Sequence, residues 1–154
     1  MTKSTERGAW VRIPPPLAFA AAMVAGFLLP GLRLQGNHLA RIAAGALLLA
    51  GGASLGLAAI GLFRRTGQDP APWKPTPELI CAGPYRYTRN PMYLGMTLLA
   101  LSAAAFAGRG WIALLAPVAL AAVHFTAVLR EEEYLAEQFG APYLAYQAKV
   151  RRYL

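Results

Sequence analysis

Four long apolar blocks set the pattern of this chain. Pro14–Leu32, Ile42–Phe63, Pro91–Gly108 and Gly110–Leu129 each run for 18 to 22 residues without a charged side chain. About 20 residues of helix, at ~1.5 Å rise each, cross a ~30 Å hydrocarbon core. Helices of a water-soluble bundle would carry charges at helical spacing within each block, and these carry none. The pattern predicts an all-α membrane protein with four transmembrane helices, over residues 14–32, 42–63, 91–108 and 110–129. Residues 1–154 are read as a single domain.

The polar connections predict the rest. Pro14, Pro15 and Pro16 suit the first turn of a helix, where a missing N–H has no intrahelical partner to lose. Gly52 and Gly56 form a small-xxx-small motif, the spacing that lets two helices approach closely in lipid. Between the second and third spans, Pro70, Pro72, Pro75 and Pro77 exclude a long helix and predict a strap, with Trp73 as an interfacial anchor. Gly108-Arg109-Gly110 is short enough to force a hairpin between spans three and four. Pro117 predicts a kink in the fourth span.

Beyond the fourth span, helices are predicted over about 130–139 and 142–152, separated by Gly140 and started by Pro142. In the last one Tyr143, Tyr146, Val150 and Tyr153 share a face. That face would lie on the membrane or fold back over the helix ends.

Charge orients this scheme. Of the fifteen lysines and arginines, twelve fall on one side of it: the N-terminal segment (Lys3, Arg7, Arg12), the strap and the C-terminal extension. Only Arg33, Arg41 and Arg109 fall on the other. The positive-inside rule places both termini and the strap in the cytoplasm. The apolar run after Lys3, Arg7 and Arg12 lacks a convincing cleavage site and reads as a retained span. The net charge of +8 implies attraction to anionic lipid headgroups. The basic residues are strung along membrane edges, which argues against nucleic acid as a partner. The single Cys81 excludes an internal disulfide and a cysteine-based metal cluster, and no metal site is expected.

Candidate chemistry gathers at the cytoplasmic boundary. Tyr85, Arg86, Tyr87, Arg89, Asn90 and Tyr93 surround the start of the third span, and Arg130, Glu131, Glu132 and Glu133 follow the fourth. The short hairpin should make these two ends neighbours. Asn90 and Pro91 can be a plain N-cap and N1 pair, and the free N–H groups of that helix start also suit an anion. The glutamates can be a solvated face or can hold a cationic or polyhydroxylated ligand. His124 is an ionisable group within a span, either functional or a packing histidine, and sits seven residues before Glu131 on the same helical face.

The stretches GPYRYTRNPMYLG and REEEYLAEQFGAPYLAYQAKV together resemble a known family. It is that of the membrane-embedded methyltransferases, which include isoprenylcysteine carboxyl methyltransferase and the phospholipid methyltransferases. Its pattern is matched by Gly83, Pro84, Tyr85, Arg89, Asn90, Pro91, Tyr93 and Gly95, then by Glu131, Glu132, Leu135, Phe139, Gly140, Tyr143 and Tyr146. The resemblance covers roughly Pro70 to Val150. It implies S-adenosylmethionine as methyl donor, with S-adenosylhomocysteine as product, bound near the cytoplasmic ends of the last two spans.

Carried over residue by residue, the resemblance implies a cofactor pocket of Tyr85, Arg89, Asn90, Pro91, Tyr93, Leu94, Gly95, Glu131, Glu132, Tyr143 and Tyr146. Arg89, Glu131 and His124 are the expected catalytic residues. Arg89 or a helix N-terminus suits the donor's carboxylate, a glutamate its ribose or ammonium, and the tyrosines its adenine or cation. Where the eukaryotic carboxyl methyltransferases have histidine, this chain has Asn90, which cannot titrate near neutrality. The acceptor is expected to be membrane-soluble: an isoprenylcysteine-like carboxylate, a phospholipid amine or another lipid or isoprenoid. The expected setting is a bacterial inner membrane, with membrane lipids as partners and the active site facing the cytoplasm. A membrane reductase of related fold and a non-catalytic lipid-binding protein are the alternatives.

Overall fold

The computed structural model describes residues 8, 9, 11 and 13–153. The basic segment of Lys3, Arg7 and Arg12 lies outside the described residues. Six α-helices follow in order: α1 Pro15–Leu28, α2 His38–Arg65, α3 Pro91–Ala107, α4 Gly110–Val123, α5 Leu129–Phe139 and α6 Ala141–Lys149. A 3-10 turn, Gly83–Arg86, precedes α3, and a π-helical turn, His124–Val128, joins α4 to α5. Among the described residues there is no strand, only an isolated antiparallel bridge between Arg33 and Arg109.

Among the described residues, two helices are long and apolar enough to cross a membrane: α2, with 28 residues, and the continuous helix Gly110–Phe139, with 30. α1 and α3 are shorter apolar helices. Neither long helix is a soluble core helix, since only 11% of the apolar window of α2 and 33% of that of Gly110–Phe139 is buried within the chain. Large side chains such as Leu39, Leu47, Leu57, Val118 and Phe125 point outward. Ala100, Ala104, Ala116, Ala119 and Ala127 are buried between the helices, together with Phe19, Ile112, Val123 and Val128. Many small residues at the helix contacts, with large apolar side chains turned outward, suit packing in lipid.

The helix boundaries differ from the expected spans for local reasons. α1 stops at Leu28, not Leu32, because Leu29 precedes Pro30 and is held extended at ψ 128°. α2 starts at His38, four residues early, because the Asn37 side chain accepts hydrogen bonds from the N–H groups of Leu39 (2.8 Å) and Ala40 (3.2 Å). α6 ends at Lys149, short of residue 152, with Val150 already extended.

α2 packs along α3, α1 along α4, and α3 along α4. At the α2–α3 crossing, a Cβ on Gly52 would sit 2.9 Å from the Gly95 carbonyl oxygen, and one on Gly95 would sit 3.0 Å from that of Gly52. The small-residue motif is thus a true close approach. The Ser102 hydroxyl fastens the same pair of helices by donating to the Gly45 carbonyl, at 2.8 Å.

At one end of the bundle, the α1–α2 loop pairs with the α3–α4 hairpin. Leu34 N–H donates to Gly108 O, and Gly110 N–H to Leu32 O, both at 3.1 Å. At the other end, the strap, α5, α6 and the closing segment Arg151–Tyr153 meet the start of α3. Pro117 lies within α4, and the π turn follows seven residues later.

Candidate functional site

The start of α3 is shaped by the turn before it. Gly83, at φ +57°, opens the 3-10 turn, and Pro84 O accepts from the N–H groups of Tyr87 and Thr88. The turn buries Tyr85 edge-on against Phe63 of α2, with ring centroids 6.2 Å apart. Burial raises the Tyr85 phenol above its ordinary pKa and keeps it protonated. Its carbonyl accepts from the Tyr146 hydroxyl at 2.7 Å, which brings α6 over the turn.

Asn90 precedes α3 but its side chain does not cap it. Asn90 Nδ2 donates to Arg152 O at 3.0 Å, while its own N–H donates to Thr88 Oγ1 at 3.2 Å. The expected side-chain cap is corrected accordingly: the amide is turned to donate to a carbonyl of the closing segment, and its oxygen takes no hydrogen bond from the first turn of α3. Pro91 still occupies the first turn, fully buried.

Arg89 points its guanidinium inward, with 10% of its side chain exposed. Nη1 lies 3.3 Å from Glu132 Oε1, within ion-pair distance. The two are not aligned as a hydrogen bond, and Nε and Nη1 are buried without a partner. Buried N–H groups of an arginine rarely stay unmatched, so an acceptor is expected beside them.

The two glutamates of α5 differ sharply. Glu132 is buried and saturated: Oε1 accepts from Arg152 Nε at 2.9 Å and Oε2 from Arg152 Nη2 at 2.8 Å, with Gln147 Nε2 at 3.4 Å. Glu131 stands in no ion pair among the described residues. It accepts a hydrogen bond from the Tyr93 hydroxyl of α3. It lies past the apolar stretch of its helix, and burial lifts its carboxyl to a pKa of about 7. The Tyr93 hydrogen bond offsets part of that rise, and the nearby negative Glu132 adds to it.

α6 closes the arrangement. Tyr143 is buried to 1% exposure, 6.1 Å from the Tyr146 ring. Burial, then the Glu132 charge, pushes its phenol up to about 12 against the opposing pull of Arg89 and Arg152.

These groups line one cavity of about 830 Å³, counted out to its open mouth. Tyr85, Arg89, Asn90, Tyr93, Glu131, Glu132, Tyr143 and Tyr146 all face it. Pro91, Leu94, Gly95 and His124 are not in its wall. Gly95 is taken up by the α2 crossing. His124 instead meets the Tyr153 hydroxyl at 2.9 Å. The face expected to join His124 and Glu131 is broken by the intervening π turn, which rotates the helix surface relative to an uninterrupted α-helix.

Sequence reasoning left out the strap as a wall of the cavity. Pro70, Pro72, Thr76, Leu79 and Ile80 line it, and the Thr76 N–H donates to the Tyr134 hydroxyl at 3.1 Å, tying strap to α5. Tyr134 and Leu135 were within reach of the sequence, because they follow Glu131 at i+3 and i+4 and so share its face.

Residues 40–142 match the sequence profile of the phospholipid methyltransferase family. The chain belongs to that family. No curated protein matches it significantly. The matched region contains both polar clusters and the strap, and it agrees with the resemblance carried by the Gly83–Gly95 and Arg130–Val150 blocks. Membership implies a methyltransferase associated with the membrane, which favours methyl transfer over the reductase alternative. Tyr143 and Tyr146 complete the cavity from just beyond the matched residues.

Proposed function

We propose that this protein transfers a methyl group from S-adenosylmethionine to a membrane-soluble acceptor at the cytoplasmic face of a membrane. The observation that carries the reading is a cavity holding a largely buried arginine with unmatched N–H groups and a half-buried glutamate that stands in no ion pair among the described residues.

The residues fit the donor by their chemistry. Unmatched Arg89 N–H groups suit a carboxylate. Glu131 suits a cation or a ribose hydroxyl, and the faces of Tyr85, Tyr93, Tyr143 and Tyr146 suit adenine or a cation. When bound, the donor supplies an activated methyl group on a sulfonium.

The chain then contributes alignment and exclusion of water. Arg89 and Asn90 orient one side of the site. Tyr143, Tyr146 and the strap cover it. Glu131 holds negative charge beside the cavity and, for an amine acceptor, takes the amine proton on its carboxylate so that the nitrogen lone pair is free. Acceptors of the carboxylate, phospholipid amine and isoprenoid classes all remain within this reading. Glu132, saturated by arginine, has a positioning role.

The proposed topology has four spans, with α1 and α3 as the two shorter ones and residues 1–154 as one domain. Both termini, the strap and the cavity face the cytoplasm, where twelve of the fifteen basic residues fall. The setting proposed is a bacterial inner membrane.

The test is a transfer assay with isotopically labelled donor against phospholipid amines, prenylcysteines, isoprenoid precursors and thiols. Label entering one lipid class, and lost in Glu131→Ala, is the expected result. Binding of a reduced nicotinamide cofactor with no methyl transfer would overturn the reading.

A further inference from the structure

One segment is fastened to the cavity wall without lining the cavity. After α6, residues Arg151–Tyr153 run beside Thr88–Asn90. Arg89 N–H donates to Arg151 O at 3.0 Å, and Thr88 Oγ1 and Asn90 Nδ2 donate to Arg152 O at 3.1 and 3.0 Å. The Arg152 side chain grips both oxygens of Glu132. Farther along, the Tyr153 hydroxyl meets His124 Nδ1 at the π turn. The segment thus bridges the start of α3 and the long helix.

Glu132 is the only carboxylate in ion-pair range of Arg89 among the described residues. An arginine and a carboxylate prefer a two-bond fork. Arg152 already forms that fork with Glu132, and Arg89 is left at 3.3 Å with Nε and Nη1 unmatched. Asn90 is governed from the same place. Its Nδ2 donates one hydrogen to Arg152 O, which fixes the amide at the cavity wall.

We propose that Arg152 is a positioning residue that keeps Arg89 available to an anionic group in the cavity by occupying Glu132 in its place, with the Tyr153–His124 contact pinning the segment that carries it. This rests on the reading of the cavity as a donor site. Without Arg152, Glu132 captures Arg89 in a fork and withdraws its N–H groups from the ligand. The proposal also gives His124 a place, as the anchor of this latch rather than as part of the cavity.

The test compares two ligands on the full chain in detergent: S-adenosylhomocysteine, which has a carboxylate, and 5′-methylthioadenosine, which has none. Arg152→Ala is expected to weaken S-adenosylhomocysteine about tenfold or more, the loss of one charge-assisted hydrogen bond, while 5′-methylthioadenosine changes by less than about threefold. Tyr153→Phe should shift the same ratio in the same direction by a smaller factor, with an unchanged thermal midpoint. It decides the matter if Arg152→Ala does not fold. An unchanged ratio of affinities in a folded variant, or an equal loss of both ligands, overturns the latch. If the unmodified chain does not bind S-adenosylhomocysteine, or Arg89→Ala binds it equally well, the donor-site reading itself fails and the latch falls with it.

Discussion

Tyr93 of α3 donates its phenolic hydrogen bond to Glu131 of α5, joining two helices across 38 residues of sequence. Next to it, Glu132 is held by two arginines. Adjacent carboxyl groups thus have opposite fates: one is neutralised by cations, and the other, half-buried, accepts from a phenol and stands in no ion pair among the described residues.

Glu131 should therefore make stability fall as pH rises. Its carboxyl is raised from 4.5 to about 7 in the folded chain. Between those values the folded chain keeps a proton that the unfolded chain releases, so stability is highest below about pH 4.5 and declines until about pH 7. The full shift corresponds to at most about 3 kcal/mol. Thermal midpoints in detergent at pH 5 and pH 8 should differ for the unmodified chain, and Glu131→Gln should reduce the difference. Parallel profiles would show that Glu131 is not the group responsible.

Glu132→Ala should be far more disruptive than Glu133→Ala. It strands Arg89 and Arg152 beside each other with no counter-charge, and breaking a buried pair costs about 3–5 kcal/mol. Glu133 is exposed, and its removal should fall within about 0.5 kcal/mol. Denaturant or thermal unfolding of the two variants gives the comparison.

The helix crossing predicts an asymmetry within the Gly52–Gly56 motif. A methyl group on Gly52 meets the Gly95 backbone, whereas one on Gly56 meets nothing within 4 Å. Gly52→Ala should cost about 1–3 kcal/mol through overpacking, with Gly56→Ala close to neutral. Equal thermal midpoints for the two variants would place the crossing elsewhere.

Cys81, the chain's single cysteine, is exposed on the strap and reports topology without mutation. A membrane-impermeant maleimide should label it in inside-out vesicles and leave it unlabelled in intact spheroplasts. The reverse pattern would invert the proposed orientation.

The fold was legible in sequence where burial in lipid dictates composition. The uncharged blocks located all four apolar helices, and Gly140 and Pro142 marked the break between α5 and α6. Two features were hidden. The π turn has no composition of its own, so His124 and Glu131 looked like neighbours on one face. The contacts of Asn90 depend on Arg152, 62 residues away, and no local pattern encodes a partner at that distance. The site was legible by type, because charged and aromatic residues beside apolar spans stand out. Its walls were less so: the strap's Pro70, Pro72 and Leu79 read as a linker.

The most direct measurement is calorimetric titration of S-adenosylhomocysteine into the purified chain in detergent, repeated with Arg89→Ala and Glu131→Ala. Saturable one-to-one binding to the unmodified chain, weakened about tenfold or more by Arg89→Ala, is expected from the loss of a charge-assisted contact. A weaker affinity is also expected for Glu131→Ala. No binding to a folded, unmodified chain, or binding indifferent to both substitutions, would contradict the assignment of the cavity.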